Sequence, residues 1–217
     1  MRRLFEVCES PFQLQRGKSV VAAMALLCTA CSTVPSSGAT RFQAALFNPV
    51  QIFSEEADVV GWRFNLLYGK NAKISGYDCG MVGIAEAVTG AQTNAFYSEA
   101  GDLIGVQLAA LPGNRATNVS GVQFGGANVA EGRVEGYQLA GVANETQEIA
   151  GGQVAGFYNK AERVVGFQFS GFVNVADDLR GLQLGVLNFN RNGLLPFFPI
   201  LNFGFGSASE DKAASEY

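Results

Sequence analysis

From Gly61 to Gly181 the chain repeats a pattern of apolar and polar positions at a spacing of fourteen to sixteen residues, marked by Gly61, Gly76, Gly90, Gly105, Gly121, Gly136, Gly151, Gly166 and Gly181. Two residues before each glycine stands an aliphatic: Val59, Ile74, Val88, Leu103, Val119, Val134, Ile149, Val164 and Leu179. From Gly90 onward, two residues after each glycine stands a glutamine: Gln92, Gln107, Gln123, Gln138, Gln153, Gln168 and Gln183. Mostly apolar residues flank that glutamine, as Phe167 and Phe169 flank Gln168. Alternation of period two predicts a strand with one face buried. On hydropathy the flanking residues are expected to face inward and the glutamines outward, so Phe169 is expected in the central stack. The aliphatic before the glycine breaks this parity. For it to face inward as well, the chain must turn at the glycine, whose lack of a Cβ permits corner conformations. Asparagines seven or eight residues on, at Asn128, Asn144, Asn159, Asn174 and Asn188, predict a second corner, because asparagine tolerates left-handed turns. Each repeat thus holds two short strands and two corners.

One such unit buries too little apolar surface to offset the entropy of ordering it, so neighbouring units must stack. The expected fold is all-β: a repeat β-solenoid of parallel coils, about fifteen residues each, nine of which at about 4.8 Å make a stack near 43 Å long. An antiparallel β-barrel or meander is the alternative, one strand and one turn per repeat. In a solenoid the seven glutamines form an amide ladder, each donating to one neighbour and accepting from the other. That ladder has two readings, structural self-pairing or an interaction face for a ligand.

The chain has 217 residues with 27 glycines, six prolines and 16% charge, which suits a tightly turning β protein. Its formal charge is −4, and −6 without residues 1–30, so a basic nucleic-acid footprint is absent and no nucleic-acid partner is expected. Arg16 and Lys18 precede an apolar run from Val20 to Ala30, short for a membrane span and suited to an export signal. Its end, Leu27-Cys28-Thr29-Ala30-Cys31-Ser32, resembles the bacterial lipoprotein signal box, with Cys28 where leucine is usual. The expected organisation is a signal peptide over 1–31 with lipidation at Cys31, a tether over 32–45, a β repeat domain over 46–206 with an apolar C-terminal cap, and a polar tail over 207–217. This places the protein on the outer membrane or cell surface, held to the membrane through its N-terminal lipid. Ordinary cleavage near Ala30 would instead leave it secreted or periplasmic. Of the four cysteines only Cys79 lies in the repeats, and one thiol cannot staple a fold. It is expected to be a small buried hydrophobe.

The segments Asn48-Pro49-Val50-Gln51 and Gly61-Trp62-Arg63-Phe64-Asn65-Leu66-Leu67-Tyr68-Gly69-Lys70-Asn71, the Gly-x-Gln repeats and the ending Leu195-Pro196-Phe197-Phe198-Pro199-Ile200-Leu201-Asn202-Phe203-Gly204 resemble the bacterial family of short-repeat surface proteins across residues 44–206. The resemblance implies a surface location and carries over no catalytic or ligand residue. The chain departs from regularity at Asp78, at Gln92-Thr93-Asn94 and at Leu111-Pro112-Gly113-Asn114, where bulged coils are expected.

There is no histidine, which removes Ser-His and Cys-His catalysis and the usual zinc sites. No enzymatic activity, metal or cofactor is expected. Two functions from different classes remain: a lipid-anchored structural or interaction module for a protein or polysaccharide partner, and an outer-membrane barrel or pore-like element. The second requires an outward apolar band, so the direction of Trp62, Tyr77, Tyr137, Phe157, Phe167 and Phe172 separates them.

Overall fold

A computed structural model describes residues 38–48 and 50–205, so the signal, Cys31 and the tail over 207–217 lie outside the described residues. The described chain contains no helix and winds as a β-solenoid of about 10 parallel turns of about 15 residues each. One sheet contains β1 (Thr40–Phe47), β2 (Val50–Gln51), β3 (Val59–Ala130), β4 (Arg133–Ala155), β5 (Tyr158–Ser170), β6 (Val173–Asn190) and β7 (Phe197–Phe205), in the order β2-β1-β3-β4-β5-β6-β7. β3 runs unbroken through several coils. β1 begins inside the stretch expected as a tether, and Phe42 to Ala45 pair in parallel with Trp62 to Asn65, so the first coil starts before residue 46.

Parallel register places like on like. Gly136 pairs with Gly121, Gln138 with Gln123 and Asn144 with Asn128, and the same columns continue through β5 and β6. The nine repeat glycines all have φ between 127° and 143°, a backbone conformation open to glycine and rarely adopted by L-residues. A Cβ on Gly151 would lie 2.0 Å from the Gly136 carbonyl oxygen, so backbone, not side chain, fills this column.

All nine aliphatics before the glycines are buried, and most stack with a second column containing Ala85, Ala100, Ala116, Ala130, Ala161 and Ala176 as one apolar core. Gln92 through Gln183 are also buried, each 0% exposed. This reverses the expected assignment of faces: glutamine points in, and the residues flanking it point out. Phe169 is half-buried on the outer surface against Phe167, with ring centroids 4.7 Å apart, and is not in the central stack. The reason is stoichiometric. A lone glutamine is costly to bury, but one in each coil finds its partner one turn away in register, and the stack satisfies the amides that a single coil cannot.

The asparagines differ from expectation too. Ile200 is the one non-glycine residue with positive φ among the described residues, so Asn128, Asn144, Asn159, Asn174 and Asn188 do not make a left-handed corner. They point inward, fully buried, and hold the next turn: the Asn144 amide donates to the Val154 carbonyl at 2.8 Å and that of Asn159 to the Phe169 carbonyl at 2.7 Å. At the irregular repeat, Gly113 has φ 128° and its missing Cβ makes room for the Ala127 backbone.

Both ends are closed by reversed strands. β7, within the apolar C-terminal segment, pairs antiparallel with β6, and β2 pairs antiparallel with β1.

Candidate functional site: amide ladders and an apolar outer sheet

Two amide columns run through the interior. In the glutamine column each Nε2 donates to the Oε1 of the preceding coil: Gln107 to Gln92 at 2.9 Å, Gln123 to Gln107, Gln138 to Gln123 and Gln153 to Gln138 at 2.8 Å, Gln168 to Gln153 at 2.7 Å, and Gln183 to Gln168 at 2.8 Å. In the asparagine column each Nδ2 donates to the following coil, from Asn114 to Asn128 at 2.7 Å and onward through Asn144, Asn159 and Asn174 to Asn188 at 2.8 Å. The seven glutamines therefore self-pair and, being buried, offer no interaction face. Asn202 of β7 takes the next rung, its Nδ2 lying 3.4 Å from Gln183 Oε1. At the other end both ends of the Gln43 amide are satisfied by the Phe53 backbone, at 2.9 and 3.0 Å.

Between Gln43 and Gln92 the column changes chemistry. Arg63 and Asp78 occupy the two rungs, both 0% exposed at their side chains, joined through Nε–Oδ1 and Nη2–Oδ2 contacts of 2.7 Å each. The carboxylate also accepts from Asn65 Nδ2 at 2.8 Å, and Arg63 Nη1 donates to the Ile84 carbonyl at 2.9 Å. A parallel stack places identical positions about 5 Å apart, so a single buried charge here needs its opposite in the adjacent coil. The sequence marks Asp78 only as an irregularity. The signal it contains is the paired replacement of two consecutive rungs by opposite charges. Arg63→Gln alone is expected to cost about 3–5 kcal/mol by stranding the buried carboxylate. The double variant Arg63→Gln/Asp78→Gln, which extends the amide ladder, is expected to return to within about 1 kcal/mol of the native protein. Urea unfolding of the three proteins checks this.

Outside, the coil is divided. Positions one, three, five and six after each repeat glycine carry no Asp, Glu, Lys or Arg in any of the nine coils. Trp62, Phe64, Phe96, Leu111, Phe124, Tyr137, Phe157 and Phe172 at these positions are exposed, and Tyr77 and Phe167 are half-buried. Neighbouring aromatics pair across coils, Trp62 with Tyr77 at 5.1 Å and Phe157 with Phe172 at 4.7 Å. This half of the solenoid is polar within and apolar without.

The other half is the reverse, its Ala and aliphatic columns inside and charges outside. Those charges pair between coils: Lys160 with Glu145 at 2.5 Å, Arg163 with Glu148 at 2.6 Å, Arg191 with Asp177 at 3.0 Å, and Arg115 with Glu131. Exposed pairs contribute little stability. In the column Glu148, Arg163, Asp178 the signs alternate, so a one-coil slip there would set Glu148 beside Asp178.

Cys79 is half-buried on the outer sheet, not in the core as expected. Burial and then the Asp78 carboxylate push its thiol above the ordinary value, leaving little thiolate at neutral pH. Tyr97 is pushed up to about 12 by burial and by the hydrogen bond it donates to Glu99 at 2.8 Å. Among the described residues no three His, Cys, Asp or Glu side chains are grouped to hold a metal ion, and no helix is long and apolar enough to cross a membrane. Comparisons with protein families, curated proteins and solved structures find no match to the chain.

Proposed function

We propose that this protein is a non-enzymatic surface-repeat protein of the bacterial cell envelope, a lipid-anchored module that acts by docking a partner on its apolar outer sheet. One observation carries the reading: four outward positions per coil stay free of charge through nine successive coils, although solvent-facing strand positions normally take polar residues. A contiguous apolar surface of this extent marks an interaction site. Beneath it the glutamine column from Gln92 to Gln183 and the asparagine column from Asn128 to Asn188 pair with themselves and with the backbone, so the outer positions are free to vary in size for contact. Few polar groups stand on this sheet, which fits an apolar protein surface better than a polysaccharide. The lipoprotein-like Cys31 supports tethering at the envelope. Cys31→Ala is expected to abolish acyl labelling and release the protein from membrane fractions; labelling that survives the change overturns the anchoring.

A second reading, a membrane-embedded element, draws on the same outward aromatics, since polar-in and apolar-out is the alternation of lipid-facing strands. Parallel coils filled by side chains differ from the closed antiparallel barrel that this reading first suggested. Flotation of the Cys31→Ala protein with lipid vesicles separates the two: the module stays unbound, the embedded element floats.

A further inference from the structure

The outer sheet is not uniformly bulky. Near its middle lies a hollow of about 430 Å³ lined by Ala95, Leu108, Ala110, Phe124, Gly126 and Gly141. Farther along, Phe157 and Phe172 stand out as a ridge, 54% and 51% exposed and stacked on each other. The ridge stands six residues after the glycine and the hollow three to five, on adjoining strips of the outer sheet. They are separated by about three coils, roughly 14 Å at the spacing of β-strands.

We infer that the occupant of this sheet is a second copy of the chain, docked face to face about a two-fold axis that inserts the ridge of each copy into the hollow of the other. The geometry fixes where that axis must lie. Parallel to the strands, between the two sheets and level with the coil of Gly136, it carries the Phe157 and Phe172 coils onto those of Gly121 and Gly105. It also brings the coil of Gly76 opposite β7. A two-fold interface must be self-complementary, and a ridge and hollow displaced symmetrically about one coil meet that condition.

Area supports it. About 10 turns at about 4.8 Å, each presenting about six residues at about 3.3 Å, give roughly 1,000 Å² per copy. Two copies together bury roughly 2,000 Å², the range of stable homodimers. Aligned packing of two sheets about 10 Å apart is a common solution for apolar β faces. Charge favours a copy over a lipid surface. The whole chain carries −4 and the four outward positions carry no basic residue, which removes the attraction to anionic headgroups that interfacial binders use. The charged half of each solenoid remains in water on the two outer sides of the pair.

The inference rests on the docking function proposed above. It is tested with the full chain carrying Cys31→Ala, so that an acyl chain cannot itself cause association. Sedimentation equilibrium should give twice the mass of the single chain. Phe157→Lys/Phe172→Lys should weaken the dimer at least about thirtyfold while leaving the circular dichroism and urea midpoint close to native. Ala110→Trp provides the sharper test: it adds apolar surface but fills the hollow, so it should also yield monomer. A monomer at every concentration, or an association that Ala110→Trp leaves unchanged or strengthens, overturns the inference, and binding of the monomer to neutral phospholipid vesicles would assign the sheet to lipid. Failure of the dimer leaves the envelope reading intact, because acylation of Cys31 tests that separately.

Discussion

Replacing a single repeat glycine, Gly151→Ala, is expected to prevent folding or cost well over 3 kcal/mol, more than any other single change to this chain. Two effects add. The native φ of 139° is one that L-residues rarely adopt, which costs about 1–3 kcal/mol by itself. The new methyl would also stand 2.0 Å from the Gly136 carbonyl oxygen, an atom held by its own backbone in the coil below. No side chain can rotate to make room. Relief requires two coils to separate, and the columns above would lose register with them. Gly141→Ala is the matched control: the nearest atom to its added Cβ is 3.9 Å away, and the expected change is within about 0.5 kcal/mol. Urea midpoints of the two variants read the difference, and equal midpoints would refute the glycine column as the corner that sets coil spacing.

Breaking the glutamine column at its centre is expected to have an effect comparable to stranding the Asp78 carboxylate. Gln153→Leu keeps the approximate volume and removes the amide. Gln138 Oε1 then loses its donor and Gln168 Nε2 its acceptor, both at side chains with 0% exposure. Each orphaned buried group costs about 1–3 kcal/mol, so the variant should lose about 3 kcal/mol or more. Val142→Ala, at an outer position 52% exposed, should change stability by about 0.5 kcal/mol or less. Phe169→Asp places its charge on the outer surface and should be tolerated better than Gln153→Leu. The opposite order would return the phenylalanine to the interior.

That order of severity is the point at which sequence and structure part. The period, the inward aliphatics from Val59 to Leu179 and the special backbone of the repeat glycines were all legible, because each expresses a local rule: spacing, hydropathy, or the backbone freedom of one residue. The direction of Gln168 was not. Alternation divides a strand into two sets without saying which is inside, and hydropathy then chose Phe167 and Phe169. The choice fails because the compensation for burying an amide lies one full coil away in sequence, at Gln153 and Gln183, and exists only after stacking. A different signal pointed the right way. The position after the glycine ranges from Gly152 and Ala91 to Trp62 and Phe167, a spread of volumes that no close-packed column accommodates. From Gly90 onward the glutamine never changes. Constancy of size, more than apolarity, marked the inside. Arg63 and Asp78 were hidden for the same reason, since each looks like an exposed charge until its rung is identified.

The opposed directions of the two amide columns have a consequence for how long such a chain can grow. Each glutamine amide directs its N–H toward the amino-terminal end, and each asparagine amide toward the carboxyl-terminal end. A column of aligned amides is a line of dipoles whose end charges would reinforce one another, as they do at the termini of a helix. Here one line runs against the other, and the axial field of the interior largely cancels within each coil. The end charge that either column alone would place at each end of the stack is therefore offset by the other. Coil number becomes a quantity that duplication or deletion of fifteen residues can change freely, provided Gln43 and Asn202 still close the two ends.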